Sequence, residues 1–272
     1  VVVVVGLDAR TQQRIAALMQ RVLIVDSHPA SAKMLAELLR NIATCQIWTA
    51  QDAQRGLALA GAVEPHLVFV DQSADFDGAA FARALRRSEL GCRKAPIIMF
   101  CGQATAAAII GARDAGVHEF LRKPFTIKDL LRRMEAVATR PREWVEAIGY
   151  VGPDRRRFNS GDYSGPLKRR IDHAVTPDAA RVEQSLRILK AAVAAIDADP
   201  RQALRAMLAQ VETLRHSGRT SSEPALRAAV NALGSRLLEL GPEGLSIADL
   251  EPLARPLLAL LPADASPRRP AA

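Results

Sequence analysis

Cysteine is scarce in this chain, at three residues in 272, and Cys45, Cys92 and Cys101 are spaced like neither a disulfide framework nor a metal clamp. A small, odd number of thiols fits a reducing compartment, so the cytoplasm is the expected location. Long hydrophobic runs are missing too. The Val1–Val5 stretch is too short to span a bilayer and has no basic segment before it, so neither an anchor nor a secretory signal is expected. Positive charge is lacking where a DNA-reading domain would hold it. The net charge is +8, but 18 Lys and Arg face 13 Asp and Glu in residues 1–140, 7 face 5 in 141–175, and 12 face 11 in 176–272. A helix placed in the major groove calls for a basic face, and a nearly neutral C-terminal third argues against one. The remainder, 49% hydrophobic and 24% charged, is ordinary globular material, enough for one full domain and a smaller one.

Apolar runs at Val22–Val25, Leu67–Val70, Ile97–Phe100 and, more weakly, Glu119–Arg122 alternate with segments of helical period. That alternation predicts βαβ units and a doubly wound parallel sheet covered on both faces. Before the first run, residues 8–20 read as a short helix with Ile15, Leu18 and Met19 on one side. Two runs end in a carboxylate, Asp26 and Asp71, and Lys123-Pro124 follows the last. In such sheets the ligand crevice lies outside the carboxyl ends of the strands, which puts Asp26, Asp71, Cys101 and Lys123 on one rim. Two acids and an ammonium there suit phosphate and magnesium chemistry.

Several motifs then occur in a fixed order: Val25-Asp26-Ser27-His28-Pro29, Val70-Asp71 with Asp77-Gly78, Pro96-Ile97-Ile98-Met99-Phe100-Cys101, Ala115-Gly116-Val117, and Phe120-Leu121-Arg122-Lys123-Pro124-Phe125. Together they make residues 21–140 resemble a response-regulator receiver domain of two-component systems. The resemblance implies a five-stranded sheet of order 2-1-3-4-5. It also implies Asp71 as phosphoacceptor, Asp26, Asp71 and the Ser73 carbonyl as Mg2+ ligands, Lys123 as the ammonium pairing with the phosphoryl group, and a cis Lys123–Pro124 bond. Cys101 would stand where a side chain holds a phosphoryl oxygen, and Phe120 at the aromatic switch position. The implied partner is a histidine kinase or phosphotransfer protein, the implied role phosphorelay signalling rather than enzymatic turnover.

The chain departs from the family pattern at four places. Ser27 replaces the second of two adjacent acids, leaving one negative charge fewer for magnesium. Cys101 replaces a hydroxyl residue and is a poorer donor. The Gln72–Gly78 loop is one residue shorter than usual and lacks a Met-Pro pair, and Phe120 has no phenol. A pseudo-receiver that serves only for docking is the alternative these departures leave open.

Four apolar stripes follow residue 176. They comprise Val182, Leu186, Leu189, Val193 and Ile196, then Leu204, Met207, Leu208, Val211 and Leu214, then Leu226, Val230, Leu233, Leu237 and Leu240, and lastly residues 247–261, which Pro252 and Pro256 should kink or split. Thr176-Pro177 and Asp199-Pro200 read as helix starts, and Gly218 and Gly241 as stops. A helical bundle over residues 176–262 is expected, binding a protein partner yet to be named, with residues 1–20 an N-terminal helical extension and 263–272 a disordered tail. His216 lacks the surroundings of a phosphotransfer histidine and reads as a cation at a helix C-terminus. His28, His66, His118 and His173 read as structural or surface residues, with His28 closest to Asp26. Residues 141–175 read as a basic linker. In it Tyr150-Val151-Gly152-Pro153-Asp154-Arg155-Arg156-Arg157 is echoed by Tyr163-Ser164-Gly165-Pro166-Leu167-Lys168-Arg169-Arg170. Arg155, Arg156, Arg157, Lys168, Arg169 and Arg170 are thus candidates for docking on an anionic surface, whether a protein, nucleic acid, or the receiver's own acidic rim. A homodimer is compatible with this reading, and a nucleic-acid-binding regulator using the basic linker is its rival.

Overall fold

The computed structural model describes residues 9–155 and 177–261. Among them, residues 9–145 with 150–155 form one compact unit, and 146–149 with 177–261 another.

In the first unit β1 (Arg21–Val25), β2 (Gln46–Ala50), β3 (Leu67–Gln72), β4 (Ile97–Cys101) and β5 (Glu119–Arg122) form a parallel sheet of order 2-1-3-4-5. Successive side chains point to opposite faces, so β1 sends Val22 and Ile24 into one core and Leu23 and Val25 into the other. The first core is closed by Ile15 of α1 (Ala9–Leu18), Leu35 and Leu39 of α2 (Pro29–Ile42), and Leu130 and Met134 of α6 (Ile127–Thr139). The second is closed by Ala60 of α3 (Ala53–Val63), Phe81 and Leu85 of α4 (Gly78–Arg87), and Ala112 of α5 (Ala106–Asp114). Burying strands on both faces is what makes them read as unbroken apolar runs. At the sheet's edge, β2 carries Gln46 and Thr49 exposed, so no such run marks it. Side chains of Asp52, Asp77, Thr105 and Thr126 cap the starts of α3, α4, α5 and α6, satisfying backbone donors that a helix leaves unpaired.

The expected linker begins as ordered structure, which corrects that reading. β6 (Trp144–Glu146) and β7 (Val151–Pro153) pair as a two-stranded ribbon. Gly116 and Gly152 allow its close approach: a Cβ on Gly116 would stand 2.6 Å from the Val151 carbonyl oxygen, and one on Gly152 2.7 Å from the Gly116 Cα. Their φ angles of 81° and 155° also suit glycine alone.

Near the starts of β4 and β5, on the rim opposite the strands' carboxyl ends, lies a polar knot. The fully buried Arg86 guanidinium donates to the carbonyls of Gly116 (2.9 Å), Arg93 (2.6 Å) and Ala95 (2.8 Å), and sits 5.3 Å from the Trp144 ring centroid. His118 Nδ1 lies 3.3 Å from the Ile97 N–H that donates to it and 3.2 Å from an Arg86 nitrogen. An Nδ1 facing two donors is an acceptor, so the imidazole is neutral with its proton on Nε2. Burial, and then the charges of Arg86 and Arg142, push its pKa well below the usual value of 6.5. Below pH 6.5 the unfolded chain binds a proton that the folded state refuses. Stability should therefore fall as pH drops, by at most about 1.4 kcal/mol per pH unit. His118→Gln should flatten that segment of the stability curve in urea melts between pH 7 and pH 5. An equally steep curve would assign the acid sensitivity elsewhere.

The second unit contains α7 (Pro177–Ala194), α8 (Pro200–Arg215), the short α9 (Gly218–Ser222), α10 (Pro224–Leu240) and α11 (Ile247–Leu258). The expected stripes supply its core: Leu186, Leu189, Met207, Leu214, Val230, Leu233 and Leu237 are buried together with Leu250 and Leu257. Each such side chain contributes about 1.5–3 kcal/mol by leaving water. Asp199 caps α8 by accepting from the Gln202 N–H, and Gly241 follows α10 with φ of 62°. Residues 146–149 are seated by side-chain amides. Gln202 donates to the Glu146 carboxylate at 3.1 Å and Gln210 to the Glu146 carbonyl at 3.1 Å. The short α9 lies between the second and third stripes, and residues 247–258 form a single helix, α11, that carries both prolines. Pro252 and Pro256 lie on its exposed side, where water can take the freed carbonyls, while Leu250, Ala254 and Leu257 hold the buried side. His216 ends α8 in contact with the Glu212 carbonyl, as a helix-terminal residue.

Candidate functional site

The register of the sheet brings the acids together. Val25 pairs with Val70 across β1 and β3, so Asp26 and Asp71, each one residue further on, emerge side by side. Both are nearly inaccessible, at 4% and 3% exposure. Lys123 reaches them from the end of β5, its backbone N–H held by the Cys101 carbonyl at 2.8 Å. Its Nζ lies 2.7 Å from Asp71 Oδ1, 3.4 Å from Asp26 Oδ2 and 3.2 Å from Ser31 Oγ. The Lys123–Pro124 bond is cis, and Phe125 beyond it stacks on Phe100 at 5.0 Å, which in turn stacks on Phe69 at 5.4 Å. The ammonium is therefore carried by a segment anchored in the core.

The loop after Asp71 folds tightly back. Ser73 N–H donates to the Phe76 carbonyl at 3.1 Å, and Ala79 N–H donates to Gln72 Oε1 at 3.0 Å. Gly78 is required here, since a Cβ would fall 2.0 Å from the Asp71 carbonyl oxygen. Ser73 Oγ is buried with no hydrogen-bond partner. Cys101 Sγ donates to the Gln103 carbonyl at 3.2 Å, and Phe120 is buried in the same core cluster as Cys101. His28, not expected to be a ligand, lies within the same pocket. Asp26, His28 and Asp71 each present a donor atom within 4.8 Å of one another. The Asp-x-His spacing was the signal for it in the sequence. Two buried carboxylates beside an ammonium, with an orphaned hydroxyl two residues past Asp71, fit the hard-oxygen donor set of a receiver's magnesium site.

The model of the response regulator receiver domain matches residues 22–135. A probable chemotaxis protein CheY of Rhizobium etli is 32% identical over 118 residues, which is 43% of this chain and 91% of that protein. The chain belongs to the response-regulator receiver family. The transcriptional regulatory protein PdtaR of Mycobacterium tuberculosis is 34% identical over 147 residues, 53% of this chain and 69% of that one. The Vibrio cholerae chemotaxis protein CheY4 aligns with 44% of this chain and 98% of its own, at 24% identity and a TM-score of 0.40. The family match covers residues 22–135 of the first unit, and proteins built on this domain are generally non-enzymatic signalling proteins. No described helix is long and apolar enough to cross a membrane.

The repeated basic motif is only partly within the described residues, which exclude Arg156, Arg157, Tyr163, Lys168, Arg169 and Arg170. In the first copy, Tyr150 and Arg155 make contacts within the first unit. Tyr150 is buried, donates to the Pro153 carbonyl at 2.6 Å, and has its pKa raised to about 12, chiefly by burial. Arg155 lies 4.5 Å from the Tyr150 ring centroid and pairs with Asp114 of α5 at 3.0 Å.

Proposed function

We propose that this protein is a response regulator that accepts a phosphoryl group on Asp71 and signals through altered protein association of its helical unit, in the cytoplasm. The observation that carries this reading is the Lys123 ammonium set between two buried carboxylates, 2.7 Å from Asp71. Receiver domains are phosphorylated by histidine kinases. In that transfer an Asp71 oxygen forms a bond to phosphorus as the phosphorus–nitrogen bond of the donor phosphohistidine breaks, and the imidazole leaves. Phosphoryl transfer asks the protein mainly for positioning and charge neutralisation. Asp26 and Asp71, with the Ser73 carbonyl, would hold Mg2+, which when bound draws charge from the phosphoryl oxygens. Lys123 then turns from the carboxylates to the phosphoryl group. Cys101, a weak donor, offers that group less than a hydroxyl would, and Phe120, buried in the same core cluster, has no phenol to report the change.

The test uses acetyl phosphate and magnesium with the intact protein. A mass increase of one phosphoryl group that Asp71→Asn abolishes is the expected result. An unmodified wild-type chain at millimolar magnesium would make this a pseudo-receiver.

One observation favours a second reading as a regulator of transcription through nucleic acid. The similarity to PdtaR extends over more residues than the receiver match. Nucleic-acid binding that falls steeply with salt would support it, because phosphate contacts release counterions.

A further inference from the structure

His28 distinguishes this pocket from a purely oxygen-lined one. Its backbone N–H donates to Asp26 Oδ1 at 2.9 Å, and its Nδ1 stands 3.7 Å from that oxygen and 3.2 Å from Ser27 Oγ. Its Nε2 faces Asp75 Oδ2 at 3.8 Å. The Lys123 ammonium is nearest to the other Asp26 oxygen, Oδ2, so the carboxylate offers one oxygen to the ammonium and the other to the imidazole. Donors that share an ion at about 2.1 Å stand at most about 4.2 Å apart. The three groups already lie within 4.8 Å, and the His28 side chain, 59% exposed, can close the remainder by rotating without disturbing the core.

The chemistry of that donor set decides which ion it suits. Mg2+ takes oxygen ligands in a strict octahedron and gains nothing from an imidazole, and Ser27 supplies a neutral hydroxyl where a second acid would have strengthened its hold. An imidazole nitrogen beside two carboxylates suits first-row transition ions. We propose that Asp26, His28 and Asp71 together bind a divalent transition-metal ion of the manganese-to-zinc series in preference to magnesium. This rests on the reading of the Asp71 pocket as the cation site that supports phosphoryl transfer.

Co2+ is the probe, because its visible absorption reports nitrogen ligation, and Mg2+ is the comparison, each titrated into the intact protein at fixed neutral pH. Any carboxylate site prefers Co2+ to some degree, so the preference alone decides nothing. His28→Ala should weaken Co2+ binding at least about tenfold and leave Mg2+ affinity within about twofold, whereas Asp71→Asn should weaken both. Co2+-loaded wild type should also show a hyperfine-shifted imidazole resonance that His28→Ala lacks, a readout that does not depend on comparing affinities. Equal Co2+ affinity in wild type and His28→Ala, or no such resonance, would overturn the proposal. If the metal reading alone fails, acetyl phosphate with Mg2+ still modifies Asp71. If the phosphoacceptor reading fails, no cation supports that modification.

Discussion

Arg86→Met should destabilise the receiver unit by about 4 kcal/mol, the largest loss expected of a single side chain in it. The guanidinium is 1% exposed and its partners are the carbonyls of Gly116, Arg93 and Ala95 and the His118 imidazole. Methionine fills much of the volume but donates nothing. Three carbonyls near the starts of β4 and β5 are left short of a donor, at about 1–3 kcal/mol for each one that water cannot reach. Burial, the dominant influence, pulls the Arg86 pKa down to about 9, so the group remains charged at neutral pH and its hydrogen bonds are charge-assisted. Lysine should rescue only part of the loss, because a single ammonium cannot span a site built for a planar fork. Urea melts of the three proteins measure this. A loss under about 1 kcal/mol for Arg86→Met would mean that the carbonyls find other partners.

Lys123→Met should make the protein dependent on a divalent cation. Asp26 and Asp71 are buried beside each other, and the ammonium is the positive charge that lies between them in the structure. Breaking a buried ion pair from one side costs about 3–5 kcal/mol. Here the lysine side chain is 30% exposed, so solvent screening reduces the expected loss to roughly 2 kcal/mol in magnesium-free buffer. A Mg2+ ion held by the folded pocket as proposed, and not by the unfolded chain, should restore most of that loss and raise the variant's melting temperature more than the wild type's. Phosphoryl uptake by Asp71 should meanwhile fall by roughly 10- to 100-fold, since the positioned cation is gone. Equal responses of variant and wild type to magnesium would show that Lys123 does not neutralise the pair.

The local pattern of the chain determined a good deal. Strands buried on both faces read as apolar runs, which made β1, β3 and β4 visible, and the residues at their carboxyl ends, Asp26, Asp71 and Cys101, necessarily lie on one rim of a parallel sheet. The stripes of α7, α8 and α10 were visible for a similar reason, because a four-and-three spacing has only one way to be buried. Tertiary structure decided the rest. The edge strand β2 has one poorly covered flank and no periodic signature, and the β6–β7 ribbon depends on Gly116 and Gly152 meeting across 36 residues of chain. Whether Arg155 and Tyr150 faced solvent or each other depended on Asp114, 41 residues away from Arg155. His28 was two residues from Asp26 in the sequence, but its place as a third donor depended on β3 carrying Asp71 alongside. Periodicity records which faces are buried; which polar groups meet there is a long-range property, settled only when strands and helices have been brought into register.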